Sequence, residues 1–419
     1  MLDRTAAPSF VKSASFNLIT PEEDKLSNGL HVFFVPGGSQ DVVKVEFVFE
    51  AGRWFEQKTT AAYFTSHLLS KGTKHKSSYE IAQLFDQYGA HLEVSPGLDY
   101  VSISLFTLNK KLPSVLGLLI ELLSEPTFPE NEFRQTQMVF NQNLKVNNEK
   151  TSFVASQLFR KNLFGKNHPY GKEVDEKNVH ALHTSDLANH FQQFKNPARV
   201  FVSGKIEDAG RRLMISAFEQ MRTALPQKPT HQSAKPEPQH QHVEKKESVQ
   251  SSVRIGVKSV LRSHPDYVPV LFLTHVLGGY FGSRLMKNIR EEKGLTYGIS
   301  ASIHGLKHDS FLVIGADVNK ENVALTFDEI RKELKRLRSE KITAGEMETA
   351  RNHFIGSLQA EITTPFAHAD KIKTIALYDL QRDHYQKMIT RMEVLTPASI
   401  IETAEQYFDE SSFFDVAVG

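Results

Sequence analysis

Cysteine is absent from the 419 residues. Its absence removes disulfides, thiolate metal ligands and cysteine nucleophiles together, and leaves the redox compartment undetermined. Any metal site falls to His, Asp and Glu. A surplus of charge is missing too: 50 Lys and Arg face 49 Asp and Glu. No overall field favours a polyanion, no local basic patch stands out, and nucleic acid is not an expected partner. Long apolar runs are lacking as well. The longest, residues 115–123, is interrupted by Gly117 and Glu121 and is too short to span a bilayer. Met1-Leu2-Asp3-Arg4-Thr5-Ala6-Ala7-Pro8 lacks the basic and then apolar order of a secretory signal. The expectation is a cytoplasmic chain without a membrane span, or a periplasmic one if a signal has been trimmed.

What is present suits a globular protein with more than one core: 40% of residues are hydrophobic, and the length predicts two to three domains. Residues 30–35 read as a strand after the Asn28-Gly29 turn. Val43, Val45, Phe47 and Phe49 then alternate with Lys44 and Glu46, which predicts a β-hairpin with one face buried. Residues 59–69, 78–88, 109–123, 152–164 and 185–194 read as helices, and another runs from Glu130 towards Leu144. Residues 92–106 read as two strands broken at Pro96-Gly97, and residues 199–203 as a further strand. Residues 226–246 change character, with proline, His231, His240, His242 and many Lys, Gln and Glu, and almost nothing apolar. This predicts a linker, with weak metal binding by the histidines as the less favoured reading.

The second half repeats the first. Leu182-His183-Thr184-Ser185-Asp186-Leu187, leading to Val202-Ser203-Gly204, corresponds to Leu395-Thr396-Pro397-Ala398-Ser399-Ile400, leading to Ala417-Val418-Gly419, displaced by 213 to 215 positions. Asn109-Lys110 corresponds in the same way to Asn319-Lys320, and Ser124-Glu125 to Ser339-Glu340. Displacements this consistent indicate an internal repeat. The predicted fold class is α+β: two homologous halves, residues 1–225 and 248–419, joined by a linker at 226–247. Each half is expected to be a mainly antiparallel sheet with helices on one face, and the pair to close like a clam around a central cleft.

Ser27-Asn28-Gly29-Leu30, Ala51-Gly52, Lys71-Gly72-Thr73, His168-Pro169-Tyr170-Gly171 and Leu277-Gly278-Gly279 carry a resemblance to the pitrilysin and mitochondrial-processing-peptidase type of metallopeptidase, family M16. The likeness extends over nearly the whole chain, residues 26–419. It implies the two-halved metallohydrolase fold of the processing peptidases. Active members carry H-x-x-E-H on a helix, two zinc-binding histidines with a glutamate as general base, and a second glutamate some 75 residues later completes the ligands. Here the first histidine position is Tyr63, the base position is Ser66, and only His67 survives. The distal glutamate falls near Gln142-Asn143, with Asn143 the better match. One imidazole with a phenol and an amide lacks the charge and ligand count for tight zinc, and Ser66 has no base to activate water. No cofactor is therefore expected in this chain. His67 also has a plain structural reading, because its counterpart in the repeat is His275, where the family has no metal. A serine hydrolase is disfavoured, since adjacent Ser66 and His67 diverge by about 100° around a helix.

The second half keeps what the first has lost. Residues 283–292 read as a helix with Leu285, Met286 and Ile289 inward, ended by Gly294 in a left-handed cap, with a strand from Leu295. The resemblance implies that Arg290 and Tyr297, seven residues apart, are the pair that grips substrate backbone and stabilises the oxyanion. Preorganised donors of that kind supply about 3 kcal/mol. The plain alternative is that Arg290 pairs with Glu291, Glu292 or the helix end and that Tyr297 is a half-buried strand residue. Some members divide the labour between a zinc-bearing subunit and a subunit with only the Arg/Tyr pair, and this chain resembles the second kind. The expectation is a non-metal subunit of a heteromeric endopeptidase acting on peptide or unfolded polypeptide, with zinc in its homologous partner. The alternative is an inactive peptide-binding or structural subunit of the same fold.

Overall fold

A computed structural model describes residues 15–196, 198–224, 229, 231 and 236–419. The N-terminal stretch read above, residues 1–8, lies outside these, as do residues 226–228, 230 and 232–235 of the expected linker.

The first sheet has six strands: β1 (Glu22–Lys25), β2 (His31–Pro36), β3 (Val42–Phe49), β4 (His91–Pro96), β5 (Val101–Leu108) and β6 (Arg199–Gly204), in the order β1-β2-β6-β3-β5-β4. The second has β7 (His240–Val243), β8 (Gln250–Lys258), β9 (Ile299–Gly305), β10 (Ser310–Asn319) and β11 (Phe414–Val418), in the order β7-β11-β8-β10-β9. Eight helices precede the second sheet: α1 (Ala61–Leu68), α2 (Ser78–Tyr88), α3 (Leu112–Ser124), α4 (Glu130–Glu149), α5 (Thr151–Phe164), α6 (Glu176–His180), α7 (Thr184–His190) and α8 (Asp208–Glu219). Six more lie between its strands: α9 (Tyr267–Gly278), α10 (Val323–Ser339), α11 (Ala344–Ala360), α12 (Pro365–Leu377), α13 (His384–Glu393) and α14 (Pro397–Tyr407). Local chemistry sets many of the ends. Ser77 and Glu80 form a reciprocal capping box on α2, Gly89 closes that helix at φ +60°, and Thr364-Pro365 and Thr396-Pro397 begin α12 and α14.

The repeat is visible as topology. Leaving out β1, both sheets run in one order, with the last strand of each half (β6, β11) inserted parallel to the first (β2, β7) and antiparallel to the second (β3, β8). This corrects two readings. Residues 30–49 do not form a hairpin, because β6 separates β2 from β3. The described end of the expected linker is not structureless either: His240–Val243 is β7, the counterpart of β2. Short polar β7 lacks the apolar signal that identified β2, and it is held in place by backbone pairing with β11.

Each sheet packs its own helices on one face, as expected, and takes one helix of the other half on the opposite face. Val43, Val45, Phe47 and Phe49 of β3 join the core under α1, α3 and α8. On the opposite face Phe33, Val35, Val48 and Phe201 pack against Ala369, Ile372 and Leu377 of α12. The second sheet receives α5: Ala155, Leu158, Phe159, Leu163 and Phe164 meet Phe311, Phe414, Val416 and Val418. Gly256 is required there, since a Cβ on it would come within 2.8 Å of the Phe159 ring. These helices occupy equivalent places in the repeat, their ends Phe164 and Leu377 lying 213 positions apart. Lys44 and Glu46, the polar residues of β3, are thus buried beneath α12, where Lys373 meets Glu46 at 2.8 Å. No described helix is long and apolar enough to cross a membrane.

Candidate functional site

Helix α1 carries Tyr63, Ser66 and His67, and α4 carries Asn143. Ser66 is fully buried and its hydroxyl donates to the Ala62 carbonyl one turn back, so it faces helix backbone and no cavity. His67 Nδ1 lies 2.9 Å from the Tyr63 carbonyl and therefore carries the proton, leaving Nε2 as the one lone pair. Its ring stacks on Tyr63 at 4.0 Å, and Tyr63 packs edge-on against Phe140 of α4 at 4.7 Å. Burial lowers the His67 pKa and raises that of Tyr63, so both rings are neutral near pH 7. Its repeat counterpart His275 sits in a like aromatic setting, 5.2 Å from Phe354, with burial and His353 bringing it down to about 4. Tyr63 and Asn143 line a common cavity of about 470 Å³ that no Asp or Glu lines. One imidazole, a phenol, an amide and a hydroxyl committed elsewhere do not fit zinc, which needs three or four donors and charge among them. Among the described residues no three His, Cys, Asp or Glu side chains converge.

In the second half Leu285, Met286 and Ile289 are buried as expected, but the winding is π-helical over Met286–Glu292. Such expanded turns recur at functional sites. Two anchors hold this one. Arg284 forks onto Glu346 of α11 at 2.7 and 3.0 Å. The buried Asn288 amide donates to Glu329 and Glu333 of α10 at 2.9 and 2.8 Å, and accepts Lys293 at 2.8 Å. Gly294 adopts φ +61°, the left-handed cap expected of it. The strand begins at Ile299, however, not at Leu295. Tyr297 stands in the loop before it, because the Thr296 hydroxyl caps this turn by donating to the Asp317 carbonyl at 2.7 Å and accepting the Gly298 N–H at 3.2 Å.

The two side chains of the pair differ from their plain readings. Arg290 forms no ion pair with Glu291, Glu292 or any other described carboxylate. Its guanidinium lies 4.5 Å over the ring of Phe281, itself 62% exposed. Tyr297 is 92% exposed. No hydrogen bond or ring contact joins the two to each other. Residue-by-residue reading missed Phe281. The signal for it, an aromatic nine positions before the arginine across a Gly282-Ser283 turn, has no fixed helical spacing.

Between the halves, α5 and β8–β10 enclose a second cavity of about 400 Å³ that includes Gly298, next to Tyr297, and Asp317. Arg160 lines both cavities, so its side chain stands between the one at Tyr63 and Asn143 and the one at the foot of the Tyr297 loop. Its floor is locked by the β4–β5 and β9–β10 turns. Asp99 accepts the Lys307 N–H at 2.9 Å and the Tyr170 hydroxyl, and Trp54 stacks on His308 at 4.0 Å. Of the His-rich tract, His231 packs on Trp54 and His240 pairs with Asp415 at 2.7 Å, while His242 is exposed on β7.

The sequence matches two family models in tandem: "Insulinase (Peptidase family M16)" over residues 36–173 and "Peptidase M16 inactive domain" over residues 183–354. A relative described as an uncharacterized zinc protease, YmxG of Bacillus subtilis, is 25% identical over 310 residues, 72% of this chain and 74% of its own length. Among solved structures, a peptidase M16 inactive domain from Pseudomonas fluorescens superposes with a TM-score of 0.86 at 20% identity, covering 95% of this chain and 98% of that one. A protease from Helicobacter pylori superposes with 0.87 at 20% identity, covering 96% and 100%.

Proposed function

The chain belongs to peptidase family M16, and from that premise we propose that it is the non-metal subunit of a two-subunit zinc endopeptidase. It would dock against a zinc-bearing homologue, close a peptide-sized chamber with it, and lend Arg290 and Tyr297 to cleavage at the partner's metal. The observation that carries this reading is the presentation of the pair. Arg290 keeps its guanidinium clear of every described carboxylate and rests on an exposed ring, and Tyr297 projects almost wholly into solvent from a loop pinned by Thr296. A pair with a merely structural role is expected to be buried or ion-paired. Zinc, held by the partner, supplies the Lewis acid and the activated water. This chain's guanidinium and phenol donate hydrogen bonds to the substrate backbone and to the oxygen that becomes negative.

The test is turnover of the mixed complex. Arg290→Ala and Tyr297→Phe are each expected to lower kcat about a hundredfold, the scale for loss of one oxyanion donor, with assembly unchanged by size-exclusion chromatography. Unchanged turnover in both variants removes the catalytic role. A second reading, a peptide-holding subunit that never cuts, is favoured by the two neighbouring cavities that share Arg160 and reach elements of both halves. Peptide binding with no hydrolysis in any mixture with a zinc-motif homologue would select it.

A further inference from the structure

We propose that the cavity between α1, α4 and α5 binds a carboxylate of the peptide held in the cleft. The inference rests on the peptide-holding reading above and adds the chemical group that peptide presents. Where active relatives gather zinc and its glutamate, this chain places Arg53, Lys150, Arg160 and Lys172 around Asn143, with no Asp or Glu in the lining. The cation excess is local, since the whole chain carries a net charge of only +1.

The nearby carboxylates are engaged elsewhere. Glu173 pairs with Lys161 at 2.6 Å and Glu149 with Lys245 at 3.2 Å. Glu56, three residues from Arg53, accepts the Ala62 N–H at 2.9 Å and makes no close ion pair, although its carboxyl and the Arg53 guanidinium act on each other. Across the cleft Asp317 accepts the Ser252 hydroxyl at 2.5 Å. Arg53 donates to the Lys172 carbonyl at 3.0 Å, while the Arg160 guanidinium has neither a hydrogen bond nor an ion pair with any described residue. Burial lowers the pKa of both guanidinium groups, and Arg53 adds repulsion at Arg160. Two half-buried like charges are costly when only Arg53 feels a carboxylate, that of Glu56, and a carboxylate placed at Arg160 reduces that cost. The planar fork of Arg160 is suited to grip it through two parallel hydrogen bonds. Because Arg160 also lines the cavity that reaches Gly298, an extended peptide bound there runs on toward the Tyr297 loop.

The experiment is fluorescence anisotropy of the full chain with a labelled octapeptide in three forms: glutamate-containing with a free C-terminus, its glutamine version with a free C-terminus, and the glutamine version amidated. The glutamate form is expected to bind about tenfold tighter than the amidated glutamine form, the scale of one charge-assisted hydrogen bond. The middle form assigns the preference to side chain or terminus. Arg160→Gln should abolish it without weakening the amidated peptide, and Arg160→Lys should keep part of it. If Arg160→Gln does not fold, Lys172→Gln in its place should reduce the preference. Equal affinity for all three forms overturns the proposal while leaving peptide holding intact, as does a preference that survives Arg160→Gln. Binding of none of them overturns both.

Discussion

At Arg290 the useful property is what the guanidinium leaves untouched. Packing on Phe281 restrains its plane while leaving its N–H groups available, whereas an ion pair with Glu291 or Glu292 would occupy donors and neutralise charge. Phe281 is therefore placed as a positioning residue. Phe281→Leu is expected to lower turnover of the mixed complex about fivefold, the effect of about 1 kcal/mol from an exposed cation–π contact. Phe281→Tyr should restore it, and the thermal midpoint should not move. A loss in Phe281→Leu that the tyrosine variant shares would mean that an aromatic ring at this position does not suffice, and the cation–π role would fall. Ser66 and His67 mark the opposite outcome, in which side chains at chemically charged positions of the family turn back onto their own helix.

Among the elements, α1 has lost its chemistry and kept its anchoring. Glu56 caps it through the Ala62 N–H, and burial raises the carboxyl pKa to about 7 against the lowering pull of Arg53 and of the backbone donors. The sign follows from linkage. A carboxyl raised above its unfolded value of about 4.3 leaves the native state holding the extra proton between the two, so its contribution to stability falls as pH rises from about 4 to 7. Glu56→Gln keeps an acceptor and removes the titration. Relative to the native chain, the variant should gain up to about 3 kcal/mol between about pH 4 and about pH 8, measured by urea unfolding at both. A constant difference across that range would mean that Glu56 stays ionised in the folded protein.

On the scale of the whole molecule, the exchange of α5 and α12 makes each half incomplete alone. A fragment of residues 236–419 keeps all five strands of the second sheet but exposes Phe311, Phe414, Val416 and Val418 where α5 lay. It is expected to give a poorly dispersed heteronuclear NMR spectrum, while the full chain unfolds in one calorimetric transition. Within the full chain, Phe159→Ala should cost about 3–5 kcal/mol from a core that both halves share. A well-dispersed fragment spectrum would mean that the exchanged helices are dispensable. Glu46 adds a pH-dependent part to the same interface. Burial alone would raise its pKa, but Lys373 and Lys44 together bring it below the usual value, so that contribution is present above the unfolded pKa and lost in acid.

The sequence by itself determined the repeat, the incomplete zinc helix at Tyr63, Ser66 and His67, and the glycine-capped turn that carries Arg290 toward Tyr297. All of these are written in spacing along the chain, and spacing survives without knowledge of neighbours. Only the tertiary structure decided that β6 divides what looked like a hairpin, and that β7, beside β11, arises from a polar stretch that looked like linker. It alone placed α5 and α12 on each other's sheets, Phe281 beneath Arg290, and Arg160 in a cleft without a counterion. Periodicity tells which face of an element is apolar, but not which distant segment covers it. An unpaired charge is likewise recognised only when every nearby carboxylate has been traced to some other partner.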